Sequence, residues 1–380
     1  MKKLIAFLFA LLPLLSPAQT LTGDARISLI TCSSGNELYS LFGHSALRVQ
    51  DKTNGMDLVF NYGTFDFNTK NFYLKYAQGL LPFQLSVTQF PYFINAYIHE
   101  NRSVFSQELL LDSVGKQQLF NALKENFKPA NRTYLYNFLY DNCSTRIRDI
   151  IQSSASDTIN WNIHNDEKTF WNLLDEYLVL SPWVKWGIHT ILGQSGNKQA
   201  TTYEYMFLPD YLMQGFGKAE LNGKPLAGKV KTLYLAPKST LQNHWYTSPL
   251  FVFSIIVALI IFLIIHYKSR KLEIGISFVM FLASGLLGCL LIFLGYFTEH
   301  PMTLPNFNLL WANPLNLAVL PFLFRKHLHR YISFYLIVYA LLLLICVSQL
   351  LISLPAMPLA SIPIICLMFF LSYVIKNNAQ

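Results

Sequence analysis

The chain has 380 residues, of which 53% are hydrophobic and only 13% are charged. This composition excludes a single soluble domain and is typical of a membrane protein. The formal net charge is +8. No basic cluster outside the apolar region alternates with aromatic residues, so the charge does not indicate nucleic-acid binding.

The first predicted element is a secretory signal peptide, residues 1–18. Lys2 and Lys3 precede an apolar stretch, and small residues follow as far as Ala18, where we expect cleavage. The apolar stretch is shorter than the roughly 20 residues that cross a bilayer, which argues against an uncleaved anchor. We therefore expect residues 19–245 to form an exported, periplasmic domain and residues 246–380 to form a transmembrane domain.

A β-hairpin is predicted over residues 44–67, HSALRVQDKTNGMDLVFNYGTFDF. Two apolar runs flank an Asn-Gly pair, which is a strong signal for a hairpin turn. His44 begins the first strand and Asn61 ends the second. Because the start of one strand lies beside the end of the other, we expect these two side chains to be neighbours.

The rest of the exported domain shows three further local patterns. Residues 70–100 are rich in aromatic side chains, and residues 113–128 have apolar side chains at helical spacing before a proline. Residues 218–238 suggest strands joined by a second Asn-Gly turn. These patterns predict a mixed domain of helices and strands.

The stretch YNFLYDNCSTRIRDII, residues 136–151, predicts a helix that begins at Cys143. Either Asn142 or Asp141 is suited to cap it. The positive end of a helix dipole lowers the pKa of a thiol and favours the nucleophilic thiolate. Cys32 is the other cysteine of the exported domain, so a disulfide in an oxidising compartment, or an inert buried thiol, stays open. No cysteine or histidine spacing predicts a zinc site.

From residue 249 onward, five apolar stretches have about the length of a bilayer span. They are residues 249–267, 275–296, 307–324, 332–353 and 358–376. The third is the least regular because asparagines and a proline interrupt it. Basic residues after the first and third spans and near the C-terminus fall on one side, which the positive-inside rule makes cytoplasmic. This predicts an inner-membrane protein with a cytoplasmic C-terminus.

A cysteine nucleophile needs a base to accept its proton and a group to orient that base. Here Cys143, His44 and Asn61 supply these residue types, and chain order is not fixed across folds. The arrangement is that of papain-like sites with the histidine placed before the cysteine, as in circularly permuted versions. Asp66 is the alternative orienting residue, and purely structural roles for His44 and Asn61 stay open.

Four further polar residues are candidates for substrate binding. Arg146 and Arg148 follow the cysteine and suit bidentate contact with a lipid phosphate. Glu299 and His300 lie in a loop on the exported side and could meet lipid headgroups. The alternatives are a solvated helix face for the arginines and loop capping for the other two.

Several motifs resemble those of a Bacteroidota family of lipoprotein N-acyltransferases, the Lnb-like family. They are GHSALRV (43–49), NYGTFDF (61–67), YNFLYDNCSTRIRDI (136–150) and FTEHPMTLPNFNLLWANPL (297–315). The resemblance implies an α+β fold, with a permuted papain-like (NlpC/P60-like) periplasmic domain followed by an all-α transmembrane bundle of about five helices. It also implies Cys143 as nucleophile, His44 as base and Asn61 in the third position.

The same resemblance implies a reaction that needs no cofactor and no metal. An acyl chain would pass from a membrane phospholipid, through a Cys143 thioester, to the α-amine of the diacylglyceryl-cysteine that begins a lipoprotein. The partners would be the phospholipid donor, the diacylated lipoprotein acceptor and the membrane itself. The alternatives are a phospholipase or other lipid acyltransferase, a cysteine hydrolase of cell-wall peptides, and a membrane scaffold in which Cys32 and Cys143 are joined.

Overall fold

The computed structural model describes residues 20–163, 166–237, 243–300, 302–325, 330–351 and 357–377. The predicted signal peptide therefore lies outside the described residues. So does Lys326, which belongs to the predicted basic loop after the third span.

An antiparallel sheet of seven strands forms the centre of the N-terminal domain. The strands lie in the order β10-β5-β1-β2-β3-β4-β6. Their bounds are Arg26–Cys32 (β1), His44–Asp51 (β2), Met56–Thr64 (β3), Pro82–Gln89 (β4), Val104–Glu108 (β5), Thr133–Leu135 (β6) and Lys231–Tyr234 (β10). The predicted hairpin is confirmed as β2 and β3, with Gly55 in the left-handed conformation that a tight turn requires.

A small three-stranded sheet lies apart from the main one. It pairs β7 (Ile159–Asn160), β8 (Glu220–Leu221) and β9 (Lys224–Pro225). Asn222 and Gly223 connect β8 to β9, both with positive φ, as the second Asn-Gly pair predicted.

Eight α-helices accompany these sheets in the described part of the N-terminal domain. They are α1 (Phe72–Gln78), α2 (Phe90–His99), α3 (Ser113–Phe127), α4 (Cys143–Ser154), α5 (Phe170–Asp175), α6 (Pro182–Ile191), α7 (Thr202–Tyr205) and α8 (Pro209–Lys218). The helix predicted over 113–128 is α3, capped by the Asp112 side chain. Leu119 of α3 and Ile147 of α4 are fully buried in one core with Phe60 of β3. Packing against the sheet therefore fixes the position of α4.

Four helices of the described C-terminal part are long and apolar enough to cross a membrane. They are α9 (Pro249–Tyr267), α10 (Arg270–Tyr296), α11 (Arg330–Leu351) and α12 (Ile362–Asn377), the last extended by a short 3-10 turn, Leu359–Ser361. Four of the five predicted spans are thus confirmed, with ends that differ by a few residues.

The third predicted span is wrong as an α-helix. Residues 307–324 form two 3-10 helices instead, Phe307–Leu310 and Pro314–Phe322. Two prolines remove N–H donors that an α-helix would use, and asparagine side chains cap both short helices. The bundle therefore combines four α-helices with one irregular segment.

This irregular segment nevertheless runs along the length of α10. Residues of this segment and of the loop before it lie in order against glycines of that helix: Leu304 against Gly295, Ala312 against Gly288 and Leu317 against Gly285. A Cβ at any of these glycines would collide with the segment, so their small size permits the close packing.

Polar groups on this segment are paired inside the bundle. Asn316 is fully buried and donates to the Ser284 and Tyr339 hydroxyls at 2.9 and 3.1 Å, and it accepts from Tyr335 at 2.6 Å. Irregular backbone is tolerated at membrane depth only where protein surrounds it, and these hydrogen bonds supply that condition.

One end of the bundle contacts the N-terminal domain. The Gly193 and Gln194 N–H groups donate to the carbonyls of Met302 and Pro305, both at 2.7 Å, and the Trp186 indole donates to Ser361 at 3.1 Å. At the opposite end, residues from the start of α10 and the end of α12 line one small cavity. The C-terminus thus shares an end with the basic loop before α10, as the predicted topology requires.

Candidate active site

The hairpin brings His44 and Asn61 into direct contact. The His44 Nε2 and Asn61 Oδ1 atoms are 2.6 Å apart. An amide oxygen accepts a hydrogen bond, so Nε2 carries the proton and Nδ1 is left for the thiol. Asp66, the alternative orienting residue, lies in the turn after β3, where its carboxylate accepts from the Asn68 N–H at 2.8 Å. The structure thus favours Asn61 for the contact with the imidazole.

Cys143 is the first residue of α4, as predicted, and Asn142 is its cap. The Asn142 side chain accepts from the Ser144 and Thr145 N–H groups at 2.8 and 2.9 Å. Its amide nitrogen donates to the Phe138 and Phe207 carbonyls, which fixes the cap in place. Because the first N–H groups of a helix have no acceptor within it, the Cys143 N–H remains available beside the thiol.

Cys143 and His44 form a coupled pair that favours the charged state of both. Burial has the largest effect on the thiol and opposes ionisation, but the charge and hydrogen bond of His44, with a further bond from the Ser45 backbone, lower the pKa of Cys143. For His44, burial again opposes the charge. The thiolate and the Asn61 contact outweigh burial and raise the pKa of the imidazole. The site therefore tends toward a thiolate–imidazolium pair.

Tyr134 is a candidate site residue that the sequence reasoning missed. It lies on β6 and is buried, and its hydroxyl has no hydrogen-bond partner among the described residues. A Cβ placed on Gly63 would lie 3.7 Å from the Cys143 Cβ and 3.9 Å from this hydroxyl. An unpaired buried hydroxyl near a nucleophile is free to donate a hydrogen bond to negative charge that develops during the reaction.

Gly63 makes this arrangement possible. Its φ is +88°, a conformation that L side chains rarely adopt, and a Cβ there would lie in ordinary van der Waals contact with Tyr136, Cys143 and Tyr134. The motif NYGTFDF could have pointed to this role, since a glycine inside a strand often marks a close approach.

The disulfide alternative is wrong. Cys32 and Cys143 are both free cysteines and both are buried. Burial has the largest effect on the Cys32 thiol and raises its pKa strongly. Cys32 is the cross-strand partner of His44, so the two side chains are neighbours on one face of the sheet, where the buried Cys32 thiol stays protonated. The alternative of a membrane scaffold in which Cys32 and Cys143 are joined is therefore also wrong.

The two arginines have protein partners rather than a free face toward substrate. Arg146 forms a bidentate pair with Asp141, at 2.6 and 2.7 Å, and its guanidinium lies 3.5 Å from the centre of the Tyr134 ring. Arg148 is buried, pairs with Asp149 at 2.7 Å and donates to the Tyr203 carbonyl at 2.9 Å. These contacts indicate structural roles for both, and Arg146 also supports the Tyr134 ring.

Glu299 and His300 lie at the contact between the two domains. The His300 Nε2 atom is 3.1 Å from the Ala77 carbonyl oxygen, and the Glu299 N–H donates to the Gln78 carbonyl at 2.9 Å. Both therefore hold the end of α1, which agrees with the alternative of a structural loop role. In the part of the chain that the structure describes, no cluster of three or more histidine, cysteine, aspartate or glutamate side chains is placed to hold a metal ion.

The ion-pair geometry predicts how Cys143 reacts with a small thiol reagent at different pH. The pKa of Cys143 is lowered, so the rate of its methylthiolation should stay high below the pH at which an ordinary thiol reacts more slowly. The rate should then fall as the pH drops through that lowered pKa. Asn61→Ala removes a bond that favours the imidazolium, so it should move the profile to higher pH. Mass spectrometry of the Cys143 peptide gives the rate at each pH.

The matched control for this profile is His44→Ala, in which the pKa of Cys143 should rise, because burial then opposes ionisation without the charge and hydrogen bond of His44. Overlapping profiles for the native protein and His44→Ala would contradict the ion pair. We also expect Asn61→Ala to slow turnover less than the roughly 10²–10⁴-fold that a general base contributes, because it removes the orienting group alone.

Two family models match the chain. The model of the Lnb N-terminal periplasmic domain matches residues 18–177, and the model of the Lnb transmembrane domain matches residues 241–378. The first range contains every residue of the site described above, and the second contains all four apolar helices. No curated protein and no solved structure matches the chain. The chain thus consists of a periplasmic domain followed by a transmembrane domain.

Proposed function

The chain belongs to the Lnb family, and from that premise we propose that it is a lipoprotein N-acyltransferase. The donor is a membrane phospholipid, and the acceptor is the α-amine of the diacylglyceryl-cysteine at a lipoprotein N-terminus. The observation that carries this proposal is the buried Cys143–His44 pair, polarised toward thiolate and imidazolium, in a domain that rests on a membrane bundle.

In the first half-reaction the Cys143 thiolate attacks the ester carbonyl carbon of the phospholipid. A carbon–sulfur bond forms and the carbonyl oxygen becomes an oxyanion, for which the Cys143 N–H and the Tyr134 hydroxyl are the available donors. The imidazolium of His44 then gives its proton to the glycerol oxygen as the carbon–oxygen bond breaks. A lysophospholipid leaves, and the enzyme retains a thioester with a neutral imidazole.

In the second half-reaction the lipoprotein amine attacks the thioester carbonyl. His44 accepts a proton from the attacking nitrogen, a carbon–nitrogen bond forms, and the carbon–sulfur bond breaks to restore the thiolate–imidazolium pair. The net change converts an ester and an amine into an amide and an alcohol. This direction is favourable without ATP, and the bilayer holds donor and acceptor near the tethered thiol.

Further parts of the proposal concern architecture and placement. His44 precedes Cys143 in the chain, which is the order expected of a permuted papain-like site. We also propose that residues 1–18 are a cleaved signal peptide and that the C-terminus is cytoplasmic. The basic loop before α10 and the C-terminus lie at the same end of the bundle, which supports this orientation.

The test of the mechanism is a covalent acyl-enzyme. Purified protein incubated with phospholipid alone should gain one acyl chain on Cys143 that hydroxylamine removes, as intact-mass spectrometry would record. Addition of a diacylglyceryl-cysteine peptide should discharge the chain onto the amine. If product forms with both substrates while no thioester is found under any condition, direct transfer replaces the two-step mechanism.

The test of the biological function compares lipoprotein N-termini from cells with and without this protein. We expect the N-acyl chain to be absent in its absence and restored by the native chain. A phospholipase would instead release free fatty acid as the main product even when the amine is present. A hydrolase of cell-wall peptides would leave both lipoproteins and phospholipids unchanged.

A further inference from the structure

Helix α1 exposes large apolar side chains that a water-soluble surface would normally avoid. Tyr73 is 84% exposed, Leu74 54% and Tyr76 53%, and Phe67 in the preceding loop is 71% exposed. Grouped apolar exposure of this kind marks an interaction surface. The same segment carries Lys70 and Lys75 and has no acidic residue within the helix.

The position of α1 identifies what covers this surface. The carbonyls of Ala77 and Gln78 at its C-terminal end are bonded to His300 and to the Glu299 N–H. These two residues follow α10, an apolar helix that ends at Tyr296. Two direct bonds therefore hold α1 within a few residues of the point where a membrane span leaves the bilayer.

We propose that α1 lies in the headgroup region of the periplasmic leaflet, with Tyr73 and Leu74 inserted among the phospholipid chains. Tyrosine suits this depth because its ring is apolar and its hydroxyl remains hydrated. The two lysines suit the anionic headgroups beside it. The hydrogen bonds that hold α1 to the loop after a membrane span, together with the charge of α1, favour lipid over a protein partner.

A row of aromatic rings joins this surface to the nucleophile. Ring centroids are 5.8 Å apart for Phe72 and Phe65, 5.1 Å for Phe65 and Phe83, and 4.4 Å for Phe83 and Tyr136. Tyr136 and Cys143 both lie close to the point that a Cβ on Gly63 would occupy, at 3.6 and 3.7 Å. Since packed rings transmit position rigidly, the depth of α1 in the leaflet sets the height of the thiol above the donor esters.

The second half of this inference rests on the proposed function: α1 is the place where the donor phospholipid approaches Cys143. This role predicts that α1 affects the rate of Cys143 acylation by a donor held in a bilayer and not by a donor dissolved in water. Leu110 offers a matched control, since it is also 54% exposed. Leu110 lies two residues after Glu108, the last residue of β5. Glu108 pairs with Ser28, which lies toward the end of β1 that is away from Cys32. Leu110 is therefore at the end of the sheet away from the site.

The first experiment measures contact with lipid directly. The photoreactive residue p-benzoylphenylalanine replaces Tyr73 in one protein and Leu110 in another, and both full-length proteins are placed in nanodiscs of phosphatidylethanolamine and phosphatidylglycerol. Irradiation should attach phospholipid at position 73 and not at position 110. Attachment to a second protein chain at position 73, or no attachment to lipid there, would overturn the proposal.

The second experiment measures formation of the Cys143 acyl-enzyme from two donors. Leu74→Asp should slow acylation from bilayer phospholipid by at least about tenfold, because a carboxylate is costly to place among acyl chains. It should leave acylation by a water-soluble p-nitrophenyl butyrate unchanged, and Leu110→Asp should change neither rate. Equal loss with both donors would show damage to the site and would overturn the role of α1 in donor access.

The two experiments separate this inference from the proposed function. If no donor acylates Cys143 in the native protein, the proposed mechanism fails, while crosslinking at position 73 still decides whether α1 is in the bilayer. If acylation occurs and crosslinking does not, the mechanism stands and the membrane placement of α1 is wrong.

Discussion

Replacing Cys143 with serine should abolish acyl transfer while leaving the protein folded in the membrane. The thiol is buried at the start of α4 and is the atom that the His44 imidazole polarises. A serine hydroxyl at this position keeps the packing but is ionised far less readily, so activity should fall by roughly 10⁴-fold or more. Lipoprotein N-termini from a Cys143→Ser strain, measured by intact mass, check this result.

His44→Ala should lower activity by about 10²–10⁴-fold, since it removes both the proton acceptor and the charge that favours the thiolate. Cys32→Ser is the matched control, because it changes the other buried cysteine of the domain. It should retain activity, since the buried Cys32 thiol stays protonated and takes no part in the proposed reaction. Fully N-acylated lipoproteins in the Cys143→Ser strain would refute the nucleophile, and loss of activity in Cys32→Ser would require a new role for that residue.

Tyr134→Phe should slow acylation of Cys143 by about 10²–10³-fold, which is the usual effect of losing one oxyanion donor. The substitution preserves the ring on which the Arg146 guanidinium lies and removes only the hydroxyl. That hydroxyl has no partner among the described residues, so its removal should leave the free energy of unfolding unchanged or raise it by about 1 kcal/mol. Acyl-enzyme formation and thermal unfolding are the two measurements.

Tyr62→Phe is the control for this prediction. Tyr62 is also a buried tyrosine, but its hydroxyl accepts a hydrogen bond from the Asn126 side chain at 2.9 Å. Its loss should cost stability, by about 1 kcal/mol, with little effect on the rate. The thiol reactivity of Cys143 should be unchanged in Tyr134→Phe, because no hydrogen bond joins the two groups. Slower acylation accompanied by an altered thiol profile would assign Tyr134 to the ion pair instead.

The local parts of the site could be predicted from the sequence. The Asn-Gly turn sets the register of β2 and β3, and that register brings His44 and Asn61 within 2.6 Å. A capping asparagine before a run of helical spacing likewise placed Cys143 at the start of α4. Each of these predictions depends on interactions between residues that are near in the chain, which a sequence pattern records.

Predictions that depended on distant partners were less successful. The sequence shows Arg148 as a basic residue on a helix, but its carbonyl partner at Tyr203 is 55 residues away. Asn316 similarly interrupts the apolar pattern of a predicted span, yet its side chain pairs with Ser284 and with two tyrosines of α11. The apolar character of residues 307–324 predicted an α-helical span, and only the packing of this segment against α10 shows why an α-helix is not needed there.

Local propensity, spacing and composition were enough to predict the hairpin, the cysteine at a helix start, the apolar spans and their charge bias. The folded structure was needed to show that Cys32 is free, that Glu299 and His300 hold α1, and that the Tyr134 hydroxyl near Cys143 is unpaired. These features depend on which strands become neighbours and on how the two domains meet. No periodicity in the chain encodes such contacts, since burial and pairing are properties of the packed whole.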